Sequence, residues 1–115
     1  HPLLGLRVRS ADAARWTFRA AWSQATAAWL ADHEVFGRTV VCATTLLELC
    51  RAALAEARPD GPPDVTGLLL PAPLTLPAAG TVEVSVEVDT SLPVPEVTVH
   101  SRPAGRDGAD WVLHA

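Results

Sequence analysis

Lysine, methionine, tyrosine, isoleucine and asparagine are missing from the 115 residues, and only two cysteines are present. With no lysine, all nine basic side chains are arginines, scattered along a chain of formal net charge −4. Neutralising a phosphate backbone needs a concentrated basic patch, so this pattern excludes nucleic acid as a partner. Cys42 and Cys50 cannot build the disulfide framework of a small secreted domain, because a helix would hold them about 12 Å apart along its axis. They read as free thiols in a reducing compartment. No apolar run approaches the roughly 20 residues that span a bilayer, and no charged-then-apolar leader opens the chain. We expect a soluble, cytoplasmic protein with no membrane partner.

What is present is close to an average globular composition, 49% hydrophobic and 19% charged, and predicts one compact domain over residues 1–115. A chain of about 100 residues buries only around two-thirds of its unfolded surface, so a partner surface would add stability. Alanine, leucine, valine, proline and arginine dominate, a bias of GC-rich coding that points to a GC-rich bacterium. The chain opens His1-Pro2 without an initiating methionine. We expect a processed product, a recombinant piece or a segment of a longer polypeptide.

From Arg15 to Trp22 the residues Trp16, Phe18, Ala20 and Trp22 alternate with Arg15, Thr17, Arg19 and Ala21, the two-residue period of a half-buried strand. Arg38 to Val41 is β-branched and short, either a brief strand or a loop entering a helix. Ala43, Leu46, Leu47, Cys50, Ala53, Leu54 and Ala57 then recur at intervals of three and four, the stripe of an amphipathic helix over 43–57. Thr45 with Glu48 offers a capping box as an alternative start, and Arg58-Pro59-Asp60-Gly61-Pro62-Pro63 supplies the stop and a flexible loop. Val65–Leu70 and Leu74–Leu76 are apolar runs broken by Pro71, Pro73 and Pro77 and fit edge strands. Thr81 to Val88 puts Val82, Val84, Val86 and Val88 on one face and Glu83, Ser85 and Glu87 on the other. Glu96–Ser101 and Asp110–His114 complete a hairpin across the turn Arg102–Gly108. One helix among some five or six mostly antiparallel strands is an α+β domain whose sheet must cover much of the helix, with Ala52, Ala53, Ala55 and Ala57 allowing close contact.

His33 is the residue best placed for chemistry. It lies just before Gly37 and a helix entrance, where unpaired backbone N–H groups and partial positive charge can polarise a carbonyl, and an imidazole near neutrality suits a general base. Asp32 reads as a turn or capping residue, since neighbours in extended chain point to opposite sides. Glu48 and Glu56 read as a capping partner and a solvated residue. His100 and His114 take strand positions facing away from the apolar side, without zinc-ligand spacing. Trp16, Trp22, Trp29 and Trp111 read as core or interface anchors.

The run Trp29-Leu30-Ala31-Asp32-His33-Glu34-Val35-Phe36-Gly37 before an Ala/Leu/Glu helix resembles the front of a polyketide synthase dehydratase domain. Such domains carry a tryptophan-leucine-x-aspartate-histidine run and a motif of histidine, three residues, glycine, four residues, proline. His1-Pro2-Leu3-Leu4-Gly5, Pro73-Leu74-Thr75-Leu76-Pro77 and Trp111-Val112-Leu113-His114-Ala115 resemble the opening, the middle strand and the end of the first half, so the likeness covers essentially the whole chain.

The resemblance implies a hotdog fold, one long helix wrapped by a curved antiparallel sheet, as the first half of a tandem double hotdog in a modular type I synthase. It implies that His33 is the base that removes the α-proton of a β-hydroxyacyl thioester, that Gly37, Cys42 and Ala43 border the substrate, and that the acid, an aspartate, comes from the second half. No cofactor is implied, because the substrate arrives on the phosphopantetheine of an acyl carrier protein, which joins the other synthase domains as a partner. Where the motif has proline this chain has Cys42, and where glycine follows it has Ala43. Both changes loosen or crowd the turn into the helix. Without the acid-bearing half, the chain alone is expected to lack hydro-lyase activity. The alternative is a non-catalytic structural or dimerising hotdog, as a homodimer or paired with a second hotdog. Cys42 itself is either a nucleophile at a helix N-terminus or an inert packing residue. A free-standing thioesterase or hydratase would need a full set of site residues from a symmetric dimer.

Overall fold

A computed structural model of the chain describes residues 1–62 and 64–115. Along the chain come β1 (Leu6–Val8), β2 (Arg15–Trp22), a 3-10 helix (Ala28–Asp32), β3 (Glu34–Val35), β4 (Arg38–Val40), α1 (Ala43–Ala57), β5 (Thr75–Leu76), β6 (Val82–Asp89), β7 (Glu96–Pro103) and β8 (Val112–Leu113). The strands form a five-stranded sheet in the order β1-β2-β6-β7-β8 and a three-stranded sheet in the order β3-β4-β5, with every pair antiparallel.

The valine alternation makes β6 the centre of the larger sheet. Val82, Val84, Val86 and Val88 are all buried, and register sets Phe18 and Val99 on either side of Val86 and Trp22 beside Val82. One continuous apolar face results, and α1 packs on it across β6 and β7. The buried arc of the helix is Leu46, Leu49, Cys50, Ala53 and Leu54, with Leu49 and Ala53 fully enclosed. The expected stripe differs at its edges: Ala43 is exposed and Leu47 half-buried. Of the four alanines expected to allow close contact only Ala53 is fully covered and Ala55 is exposed, so the helix is buried on one face rather than around much of its circumference.

The helix begins at Ala43, with Cys42 in extended backbone (φ −61°, ψ 146°) and no side-chain cap. The Thr45–Glu48 capping box does not form, because Thr45 lies inside the first turn and is buried. At the other end the Arg58 N–H reaches the Leu54 carbonyl before Pro59. Pro63, the last residue of the expected stop, lies outside the described residues. Residues 65–70 form no strand. Pro71 and Pro73 remove ladder donors beside the run, and Leu69 and Leu70 remain exposed, so it crosses the helix as an irregular strap. Gly5 fills a tight approach of β1 to β2: at φ +67° it lies so close that a Cβ would run into the Arg19 carbonyl oxygen.

The tryptophans divide. Trp22 is a core residue. Trp16 is half-buried beneath Arg7, whose guanidinium carbon is 3.4 Å from the ring centroid. Trp111 is half-buried between Arg19 and Arg102, each 4.5 Å away, and those two arginines share the Glu83 carboxylate. Trp29 is 55% exposed and anchors nothing in the core. On the same outer sheet face as Glu83, Ser85 is buried and its hydroxyl has no partner. Leu49→Ala should lower the unfolding free energy by about 2–5 kcal/mol, whereas Ser85→Ala should leave it level or raise it by up to about 1 kcal/mol, both read from urea denaturation. An equally costly Ser85→Ala would mean that the hydroxyl is bonded after all.

Candidate active site

The local structure around His33 is a hairpin. Phe36 (φ 49°) and Gly37 (φ 74°) both take left-handed backbone, as a two-residue hairpin turn of primed type requires, and β3 and β4 pair Val35 with Arg38 and Glu34 with Thr39. Thr39 is buried opposite Leu76, and the Val41 N–H donates to the Leu74 carbonyl at 2.8 Å, so the inner edge of the hairpin is fastened to β5. The 3-10 turn is anchored by Leu30, and the His33 N–H returns to the Leu30 carbonyl at 3.4 Å.

At the base of this hairpin His33 and Val40 are bonded twice. The Val40 N–H donates to the His33 carbonyl at 3.0 Å, and the ring Nδ1 is 2.7 Å from the Val40 carbonyl oxygen. A carbonyl can only accept, so Nδ1 carries the proton and the neutral ring keeps its lone pair on Nε2. The imidazole is exposed and is tied to backbone two residues before the N-cap of α1. Within the first helical turn the Thr45 and Leu46 N–H groups both reach the Cys42 carbonyl, which leaves the N–H groups of Ala43 and Thr44 without intrahelical partners. A proton acceptor and an uncapped helix end are thereby fixed to one short piece of backbone.

Cys42 is half-buried and Ala43 exposed at that helix end. Gly37 is elsewhere: it sits in the hairpin turn, roughly 10 Å along the strands from the His33–Val40 pair. Space around it is open, so its achiral backbone serves the turn rather than a close approach. Asp32 ends the 3-10 turn and is exposed. Glu48 caps nothing; its carboxylate bridges His1 at 3.3 Å and Arg51 at 3.0 Å.

His114 departs from expectation. Instead of facing outward it is buried, with Nε2 2.7 Å from the Ser101 hydroxyl and Nδ1 3.0 Å from the Ala72 carbonyl. Burial holds its pKa below the ordinary histidine value. Ser101 is buried as well, so this serine–histidine pair is enclosed and structural. Burial pushes the Cys50 thiol up to about 11, which keeps it protonated and unreactive.

An apolar groove of about 550 Å³ lies between Cys50 and Leu54 of α1, the strap and the β7 edge, and a cavity of about 510 Å³ lies among His1, Trp22 and Trp29. Neither is lined by His33, Gly37, Cys42 or Ala43, and the imidazole itself is exposed. Among the described residues no three His, Cys, Asp or Glu side chains gather to hold a metal ion, and no helix is long and apolar enough to cross a membrane. What the sequence could not reveal is the Val40 carbonyl that fixes the ring, because a backbone acceptor leaves no trace in side-chain identity.

Residues 1–102 match the polyketide synthase dehydratase domain family. Across its full length the chain is 40% identical to polyketide synthase GfsB of Streptomyces halstedii and 38% identical to mycoketide-CoA synthase of Mycobacterium tuberculosis, of which it spans only 2% and 3%. Among solved structures, the dehydratase domain from the terminal module of the rifamycin polyketide synthase superposes with a TM-score of 0.86 at 33% identity, over 99% of this chain and 40% of that one. The bifunctional dehydratase-cyclase domain of ambruticin biosynthesis gives 0.79 at 35% identity, over 94% of this chain and 38% of that one. The expected hotdog architecture is thereby established. Long-range ¹H–¹⁵N spectra of neutral His33 should show a protonated Nδ1 and a bare Nε2; the opposite tautomer would mean that the Val40 bond is not made.

Proposed function

Because the chain belongs to the polyketide synthase dehydratase family, we propose that it is the base-bearing half of a site that dehydrates β-hydroxyacyl thioesters. The observation that carries this reading is the bond from His33 Nδ1 to the Val40 carbonyl, which leaves the lone pair on Nε2 of an exposed ring tied to backbone two residues before the N-cap of α1. In the proposed reaction Nε2 takes the α-proton, the C–H electron pair becomes the new double bond, and the β-hydroxyl leaves as water after accepting a proton from an acid. The free N–H groups of Ala43 and Thr44 would support charge developing on the thioester carbonyl. Cys42 and Ala43 border that position; Gly37 contributes through the hairpin turn. The acid is assigned to an aspartate of a second hotdog, and the thioester to the phosphopantetheine of an acyl carrier protein. The chain is then residues 1–115 of a longer double hotdog in a cytoplasmic synthase, and no cofactor takes part in the proton transfers.

A base and an acid must flank one substrate, and half of the pair cannot complete an elimination. With a β-hydroxyacyl thioester, the 115-residue chain alone should give no turnover. Adding a separately produced second half should restore it, and His33→Ala in the restored pair should reduce it by about a hundredfold or more. Turnover by the isolated chain, or indifference of the restored pair to His33→Ala, would overturn the assignment.

One observation favours a second reading, a non-catalytic pairing element of the synthase. Cys42 and Ala43 replace proline and glycine at the helix entrance without supplying a cap, while the edge strand β1 exposes Leu6 (78%) and Val8 (45%). An unpaired apolar edge invites another strand. Sedimentation of the chain at micromolar concentration should give a dimer on this reading, and a persistent monomer would remove it.

A further inference from the structure

The strap over the groove is held in an unusual way. Among the described residues, 64–71 make no hydrogen bond to the rest of the protein; the strap is hydrogen-bonded to the β7 region only where the His114 ring meets the carbonyl of Ala72. Val65 packs on the core and Leu68 is half-buried, but Leu69 and Leu70 face solvent, so apolar contact fastens the strap on one side only. Behind it lies the 550 Å³ groove, with Cys50 on the helical wall and Val97 and Thr98 on the β7 wall.

We propose that residues 64–73 form a strap latched by the neutral imidazole of His114, and that protonation of this ring releases the strap and opens the groove. The proton count supports the direction. In the neutral ring the Nδ1–H donates to the Ala72 carbonyl and Nε2 accepts from the Ser101 hydroxyl, so each group is used once. A second ring proton turns Nε2 into a donor. The Ser101 hydroxyl must then rotate away and find another acceptor in a buried site, while a full positive charge sits in apolar surroundings. Both costs vanish once the ring reaches water.

The neighbouring charges offer no compensation from the elements around it. On β7, His100 adds repulsion when protonated, Arg102 is committed to Glu83, and Glu96 is exposed at the far end of the strand. The strap contributes Asp64, which is exposed, and α1 contributes Cys50, which stays neutral. The sign follows from linkage: a histidine whose pKa is depressed in the closed form stabilises that form above the ordinary histidine range, and the benefit is lost as pH falls below about 6.5. This inference does not depend on the chemistry assigned to His33.

Thiol exchange at Cys50 reads the opening. In a Cys42→Ser background, the reaction rate of Cys50 divided by that of a short cysteine peptide at the same pH gives an opening constant. Between pH 7.5 and 5.5 it should rise about threefold or more, stay level in His114→Gln, and remain well above the global unfolding constant from urea titration. In the Cys42→Ser chain itself, the pH midpoint of the rise should coincide with that of the His114 ring resonance, a comparison that survives if His114→Gln fails to fold. An opening constant that is flat with pH, equal to global unfolding, unchanged in its pH response by His114→Gln, or displaced from the His114 midpoint would overturn the latch.

Discussion

The packing of one helical face on one valine row fixes everything else in this molecule. Leu49 and Ala53 have no exposed surface against a sheet face whose centre is Val84, Val86 and Val88. That contact sets the axis of α1, and the axis sets where Cys42 leaves the helix. From there Val41 is fastened to Leu74 and Val40 to His33, so the imidazole inherits its position from the core through two backbone steps and one ring hydrogen bond. The ring is thus held by backbone that the core has already placed, and its Nδ1 is bonded to the Val40 carbonyl oxygen rather than to a carboxylate. A neutral partner of this kind fixes the tautomer of the ring without adding a charge beside it.

Much of this architecture can be read from the residues because it is periodic. The alternations of β2 and β6 and the three-four spacing of α1 predict those elements almost to the residue. Where periodicity is ambiguous, tertiary packing decides. Leu46-Leu47 and Leu49-Cys50 are adjacent apolar pairs, so several arcs of the helix look equally greasy, and contact with β6 selects the one containing Leu49 over the one containing Leu47. The strap fails as a strand for a related reason: its composition is that of a strand, but a ladder needs donors and a partner, and the prolines beside it limit the donors.

Short elements are the least visible. β3 has two residues, and its turn places Phe36 in left-handed backbone where asparagine or glycine would have advertised a hairpin. His114 shows the opposite case, a polar residue in a terminal segment with no visible signal for burial. Its acceptance into the core depends on Ser101, across the same hairpin, and on Ala72, which is 42 residues away and contributes only a backbone carbonyl. In the site, His33 is legible as a residue type next to a glycine and a helix, while Gly37 is legible only as a glycine. The structure separates them, because a motif written as a line of residues bends back on itself at a hairpin.

The distribution of unburied apolar surface follows from the same frame. Leu69, Leu70, Val94, Val112 and Leu113 are exposed around the strap, the β7 edge and β8, and Leu6 and Val8 on β1 at the opposite edge of the sheet. A domain of this size cannot cover both edges of a five-stranded sheet with a single helix, because the helix spans only the width of β6 and β7. The two uncovered margins differ in kind. β1 presents a regular strand edge with free ladder positions, which another strand can extend, whereas the strap margin is irregular backbone with exposed apolar side chains and offers surface packing instead of a ladder. Where the prolines fall decides which margin keeps a ladder that can be continued and which offers only an irregular surface.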